Sequence, residues 1–480
     1  MGVLATVFAA AAEPPGLLPA RLQMAFSLGS HIIIACFGVA FPAMIFVVHR
    51  RGLRGDPVAL GLAKRWSKVA AVLFAVGAVS GTILSFEMGL LWPGMMRDFG
   101  DVIGLPFAFE GLAFFAEAIF LGVYLFGWNR LPPRLHLATL IPIAISGVIG
   151  TFCIISVNAW MNSPSGFDVA TRADGSLEVT NIDPWAAMFN DAVWLQSIHM
   201  LIAAYMVVGF TVASVYAVGM LRGRRDEHHR IGFVVPFAFA SVAALMQPVT
   251  GHLAGQVLAD RQPEKLAAME LSVEPESHAP LVLGGFLVDG EVVGGIRIPN
   301  VASFLAGNSF DTIVPGINDV PEDERPPANI VHWSFQLMVM IGTALAGFVL
   351  WYWWRRRRGH DPLASRRFLR LASLTGAAAI VALEAGWITT ELGRQPWIVY
   401  RVQLVRDAAS DVAGGLWVSF VVMLVVYAGM GIAAAQVLRS MSRRWRRGEA
   451  LDLPTPYGPR SRRVADASST EPEVDSEVVS

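Results

Sequence analysis

The chain has 480 residues, only 16% of them charged, a net charge of −1 and a mean hydropathy of +0.51. A soluble domain is nearer a quarter charged, so an ordinary water-soluble globule is excluded, and the near-neutral balance argues against nucleic acid as a partner. The two cysteines, Cys36 and Cys153, lie in apolar runs and offer neither metal spacing nor a disulfide framework.

In chain order, the opening MGVLATVFAAAAEPPG is apolar but lacks the basic region of a secretory signal. Residues 1–20 therefore read as an external leader. A bilayer core about 30 Å thick needs roughly 20 apolar helical residues. Nine segments meet that need, near 25–48, 69–90, 106–127, 137–157, 192–216, 231–250, 331–353, 371–391 and 413–437. The expected fold is an all-α polytopic membrane protein. Residues 21–250 carry the first six spans, 251–330 form a long external loop and 331–440 carry the last three. Within the loop, PEKLAAMEL reads as a short helix lying at the membrane surface, followed by apolar pieces split by Gly and Pro. Residues 441–480 are polar and Pro/Ser-rich and read as a disordered cytoplasmic tail. No internal repeat or inverted half suggests a transporter.

Basic residues crowd HRRGLRG, KRWSK, LRGRRDEHHR, RRRRGHDPLASRR and RSMSRRWRRG, in alternate loops and at the C-terminus. About 27 of the 37 Lys and Arg fall on that side, which the positive-inside rule makes cytoplasmic. The N-terminus is then outside and the C-terminus inside.

An ionisable group inside a bilayer costs at least about 2.5–3.5 kcal/mol, so each one is a functional candidate. His31 opens the first span and His199 lies early in the fifth. Each reads as a hydrogen-bonded core histidine or as a haem ligand. Met338, early in the seventh span, reads as packing or as a thioether ligand, and His332 in the same segment as interfacial. Glu110 and Glu117 are two helical turns apart, so they share a face of the third span roughly 10 Å from each other. Two carboxylates on one face suit proton transfer, or one ligand and one relay. Glu391 and Arg394, in EAGWITTELGRQPW, can pair at a helix end. His31, Glu110, His199, Met338 and Glu391 all fall towards the external half of five different helices, as a shared cofactor site would require.

The stretches RLQMAFSLGSH, EGLAFFAEAIFLG, GWNRLPP, NAWMNSPSG, KLAAME and EAGWITTELGRQPW, with His199 and the Met338 segment, follow in an order that resembles subunit I of the cytochrome bd-type quinol oxidases. The resemblance covers nearly the whole chain. It implies quinol oxidation coupled to reduction of O2 to water, in a bacterial cytoplasmic membrane, beside a second multi-span subunit and in some cases a small single-span one. It implies three cofactors: a low-spin haem b, a high-spin haem b, and a haem d or a further haem b in its place. His199 and Met338 are implied as ligands of the low-spin haem. His31 and Glu391 are implied as ligands in the high-spin pair, with Glu110 close to iron and their division between the two haems left open. Glu117 is implied in the proton path, Arg394 and Trp387 in holding propionates and the inter-haem contact, and Asn158 near the oxygen-reducing haem. On that basis Arg394 is expected to serve a propionate more than Glu391. Lys265 and Glu270 match the pair implicated in quinol binding on the long loop, called the Q-loop in this family.

There are departures. Gln336 stands where some members have Arg, a change expected to bear on the low-spin haem's potential or its propionate pairing. The loop is of the short kind and the leader is long. Two other readings remain at this point: a membrane cytochrome b that only relays electrons, and a cofactor-free proton-coupled transporter.

Overall fold

The computed structural model describes residues 14–172 and 177–449; the leader before Pro14 and the tail from residue 450 lie outside the described residues. Among the described residues, nine helices are long and apolar enough to cross a membrane. They are α1 (Leu17–Leu53), α2 (Pro57–Leu91), α3 (Pro93–Phe126), α4 (Leu140–Asn162), α5 (Val193–Leu221), α6 (Glu227–Arg261), α8 (Ala328–Arg357), α9 (Thr375–Leu392) and α10 (Ala413–Arg446), with α7 (Pro263–Glu270) a short helix in the long loop. Most extend beyond the apolar segments. α1 begins inside the expected leader, α6 runs eleven residues into the expected loop, and α10 continues through Arg446 into the expected tail. Hydropathy marks only the turns inside lipid, whereas backbone hydrogen bonding carries a helix on until a stop signal.

Those signals are visible in the chain. Asp56 caps α2, its Oδ1 accepting from the amides of Val58 and Ala59 at 3.0 Å each, with Pro57 at the first helical position. Asp226 caps α6 through the His229 amide at 2.9 Å. Pro263 ends α6 by restricting Gln262, and then opens α7. Proline also lies inside α1, α3 and α6, where each removes one backbone donor, a loss membrane helices tolerate when neighbours cover the freed carbonyl.

Sequential helices pack as neighbours, α1 with α2, α3 with α4, α5 with α6 and α8 with α9. α1 also touches α4, α5, α6, α9 and α10, so it runs through the middle of the bundle. One apolar core, containing Phe41, Phe210, Phe233, Phe237 and Phe368, occupies the end where the basic loops lie. A second, containing Trp92, Phe99, Trp160, Val399 and Val405, fills the opposite end beneath the segment that follows α9. α10 leaves Val418, Val421, Val422 and Val425 exposed, as an outer membrane helix does.

The apolar pieces of the long loop form two small antiparallel ladders, β3 (Leu281–Leu283) with β6 (Ile296–Ile298) and β4 (Phe286–Val288) with β5 (Glu291–Val293); β1 (Asp168–Thr171) and β2 (Leu177–Thr180) pair in an earlier loop. Asp289 and Gly290 turn β4 into β5, both at positive φ, as a two-residue hairpin demands. After α9, β7 (Trp397–Val399) and β8 (Gln403–Leu404) form a further hairpin.

Candidate functional site

A cavity of about 1800 Å³ opens between α1, α2, α3, α4 and α9. Ligand pockets commonly measure about 300–1,000 Å³, so this space exceeds the need of one small molecule. His31, Glu110, Glu117, Asn158, Trp387, Glu391 and Arg394 all line it. Seven of the residues singled out in the sequence thus meet at one place, brought there from four helices and the turn after α9.

His31 Nδ1 lies 2.8 Å from Ser80 Oγ on α2. That contact fixes the ring and leaves Nε2 for a ligand, the arrangement in which a histidine usually binds metal. Gly81 faces the same ring: a Cβ there would sit 3.1 Å from His31 Cε1. Glu110 and Glu117 share one face of α3, as their spacing predicts. A Cβ at Gly38 of α1 would meet Glu117 Oε1 at 3.2 Å, so a glycine leaves that carboxylate its room.

At the end of α9, Glu391 is gripped from two sides. Asn158 Nδ2 donates to its Oε1 at 2.6 Å, and Arg394 Nη2 donates to its Oε2 at 2.6 Å. The ion pair that the three-residue spacing allows therefore forms. Only one guanidinium nitrogen is used, however. Arg394 is 3% exposed, and its Nε and Nη1 are buried with no hydrogen-bond partner. Buried donors without acceptors cost roughly 1–3 kcal/mol each, more when charged. A second anion beside Arg394 would satisfy them.

His199 and Met338 are not among the lining residues of this cavity. His199 Nδ1 lies 3.0 Å from Thr250 Oγ1, and its Nε2 lies 2.9 Å from Gln247 Nε2, both on α6. Glycines face both residues. A Cβ at Gly251 would stand 3.6 Å from His199 Cε1, and one at Gly386 would stand 2.9 Å from Met338 Sδ. The helices that carry them, α5 and α8, each pack on α6 and α9. His199 Nε2 is thus held by Gln247, and a methyl at Gly251 would make only ordinary contact with its ring. The His31 ring with Nε2 left for a ligand, the two unpartnered donors of Arg394 and the cavity's size fit haem.

α7 is covered by the rest of the protein. All six residues from Lys265 to Glu270 are buried. Its ends explain why. Glu264 accepts hydrogen bonds from the Tyr400 hydroxyl and the Arg401 guanidinium of the hairpin after α9. Gln262 Nε2 donates to the Asn162 carbonyl at 2.9 Å, and Lys265 Nζ donates to Asn162 Oδ1 at 2.8 Å. Burial lowers the Lys265 ammonium to about 7, with Arg394 pushing the same way and Glu391 opposing. Burial raises the Glu270 carboxyl to about 7, and its Oε2 has no partner. Neither Lys265 nor Glu270 lines the large cavity.

His332 is buried within the protein: Nδ1 lies 2.7 Å from the Met269 carbonyl and Nε2 lies 3.0 Å from that of Gly284. It fastens the end of α7 to the loop ladders. Gln336 Nε2 donates to the Val282 carbonyl at 2.9 Å, so its amide serves the loop. Ser80, Thr250, Gln247 and Asn162 escaped sequence reasoning. Serine and threonine in apolar helices commonly bond their own backbone, and nothing in the local pattern tells a side chain that also holds a histidine from one that does not.

Residues 19–445 match the family model for cytochrome bd terminal oxidase subunit I. The chain is 36% identical over 432 residues to a Bacillus subtilis protein provisionally named cytochrome bd menaquinol oxidase subunit I, covering 88% of this chain and 95% of that one. It is 29% identical over 437 residues to cytochrome bd ubiquinol oxidase subunit 1 of the same organism, covering 86% and 91%. Among solved structures, bd oxidase from Geobacillus thermodenitrificans aligns with a TM-score of 0.84 at 38% identity, over 90% of this chain and all of that one.

Proposed function

Because the chain belongs to the cytochrome bd terminal oxidase subunit I family, quinol:O2 oxidoreductases of the bacterial cytoplasmic membrane, we propose that it binds a low-spin haem b through His199 and Met338. We further assign a high-spin pair, haem b with haem d or a second haem b, to the cavity bearing His31, Glu110 and Glu391. A second multi-span subunit is proposed to close the lipid side of that cavity. Bound haem supplies electron transfer and O2 reduction; the chain supplies ligands, orientation and polarity.

The observation that carries this reading is Arg394, a buried guanidinium with two unused donors on the wall of a cavity that also presents His31 and Glu391. A haem propionate would satisfy those donors. Trp387, on α9 four residues before Glu391, lines the same cavity and is assigned to the inter-haem contact. Quinol is assigned to the side of α7, where Glu270 holds a carboxylate oxygen ready for a substrate proton and Lys265 brings positive charge toward an anionic form of the substrate. Glu117 takes protons from the basic, cytoplasmic end and passes them toward Glu110. Substrate protons released outside and product protons drawn from inside move charge across the membrane without a pump.

Purified protein given a quinol should consume O2, and His31→Ala should abolish that uptake. Quinol oxidation without O2 consumption would favour the electron-relay reading instead.

A further inference from the structure

The polar contacts around Asn162 join two parts of the molecule that the proposed function treats separately. Lys265 Nζ donates to Asn162 Oδ1 at 2.8 Å. Asn162 Nδ2 donates to the Asn158 carbonyl at 2.8 Å and to Asn158 Oδ1 at 3.3 Å. Asn158 Nδ2 donates to Glu391 Oε1 at 2.6 Å. Every donor points the same way, from the ammonium on α7 to the carboxylate on α9. Reversing the Asn162 amide would set its NH2 against the Lys265 ammonium. Reversing that of Asn158 would set an oxygen against the Glu391 carboxylate. Charge at both ends therefore fixes both amides, and aligned hydrogen bonds polarise one another in a medium of low dielectric.

Burial makes the chain of contacts stiff. Asn162 is 3% exposed and Lys265 is 4% exposed. The Lys265 stem crosses Gly393, where a Cβ would lie 2.6 Å from its Cγ, so that glycine admits the side chain into the turn between Glu391 and Arg394. Asn162 Oδ1 also accepts from Gln262 Nε2 at 3.1 Å, so one side chain holds both the first residue before α7 and its lysine.

We propose that Asn162 is a positioning residue that ties the quinol-facing Lys265 to the Glu391 carboxylate, so that the loop and the Glu391 cofactor site respond to one another. This rests on the assignment of Lys265 to quinol and Glu391 to iron.

Asn162→Asp is near-isosteric, keeps acceptors for Lys265 and Gln262, and removes the donor to Asn158. Asn162→Leu removes both functions. For each variant, the KM and kcat for quinol and the reduced-minus-oxidised spectrum are measured, with the low-spin signal as a check of folding. Asn162→Asp should alter the high-spin spectrum while quinol KM moves less than about twofold. Asn162→Leu should alter that spectrum and raise KM about tenfold, the scale of one charge-assisted hydrogen bond. Lys265→Met should also move the high-spin spectrum, and adding it to Asn162→Leu should change little further. The proposal is overturned if Asn162→Asp leaves the high-spin spectrum unchanged, or if the effects of Asn162→Leu and Lys265→Met simply add. If Lys265→Met and Glu270→Gln both leave quinol KM unchanged, the quinol assignment fails, while the spectral response still reports the coupling.

Discussion

Ser80 Oγ lies 2.8 Å from His31 Nδ1, and this single contact sets which ring nitrogen of His31 faces the cavity. Ser80 is itself buried, and its hydroxyl can also donate to the Gly77 carbonyl at 3.1 Å. It can therefore accept from the imidazole while staying anchored to its own helix. Ser80→Ala should weaken the high-spin haem by about 10- to 100-fold in affinity or turnover, the usual cost of losing such an outer partner. CO titration of the reduced protein measures it, and the low-spin signal should be spared.

Gly386 makes the corresponding prediction for the other haem. A Cβ placed there would sit 2.9 Å from Met338 Sδ, closer than side-chain carbons approach. Met338 is flexible, so Gly386→Ala should fold but push the thioether aside. The low-spin band should shift or turn high-spin, with the CO-binding band unchanged. An unaltered low-spin spectrum would argue against Met338 as a ligand.

Glu270 gives a dependence on pH. Its folded carboxyl, raised to about 7 by burial, binds a proton that the unfolded chain has already released above about 4.5. Stability should therefore fall as pH rises from 4.5 toward 7. Lys265 acts in the opposite sense above that window. It releases its proton near 7 when folded and near 10.5 when unfolded, so stability should rise with pH between those values. Glu270→Gln should remove the acid-side slope in a melting-temperature profile and leave the alkaline one. Quinol oxidation should also rise as pH approaches about 7, where Glu270 becomes a proton acceptor, and fall beyond it as Lys265 loses its charge; Glu270→Gln should lose the acid-side rise.

Glu117 lies two helical turns beyond Glu110 along the face of α3 that lines the cavity. If it carries protons to the site from the basic end, Glu117→Gln should depress both turnover and the membrane potential formed in proteoliposomes. Full turnover with full potential would remove Glu117 from the path.

The nine long helices were legible because lipid imposes length and apolarity on every segment that crosses it. Of the five residues read as one shared site, His31, Glu110 and Glu391 meet at the cavity, whereas His199 and Met338 do not line it; the cost of charge in a membrane helix flags such residues, but their common depth does not say which of them share one space. The burial of α7 was not legible. PEKLAAMEL is polar enough to lie on a surface, and distant partners, Asn162, His332, Tyr400 and Arg401 among them, hold it inside the protein. The cover over His332 was hidden for a related reason: its partners, the Met269 and Gly284 carbonyls, are remote from it in the chain. The Glu391–Arg394 pair was foreseen from spacing. What spacing could not show is that the pair uses one guanidinium nitrogen and leaves two for another anion.

The most direct test of a haem-bearing oxidase is the reduced-minus-oxidised spectrum of the purified protein, with and without CO, for wild type and His199→Ala. The wild type should show a low-spin b signal and a CO-sensitive high-spin signal, and His199→Ala should lose only the first. A protein without haem, or a His199→Ala variant that keeps its low-spin signal, would contradict the assignment.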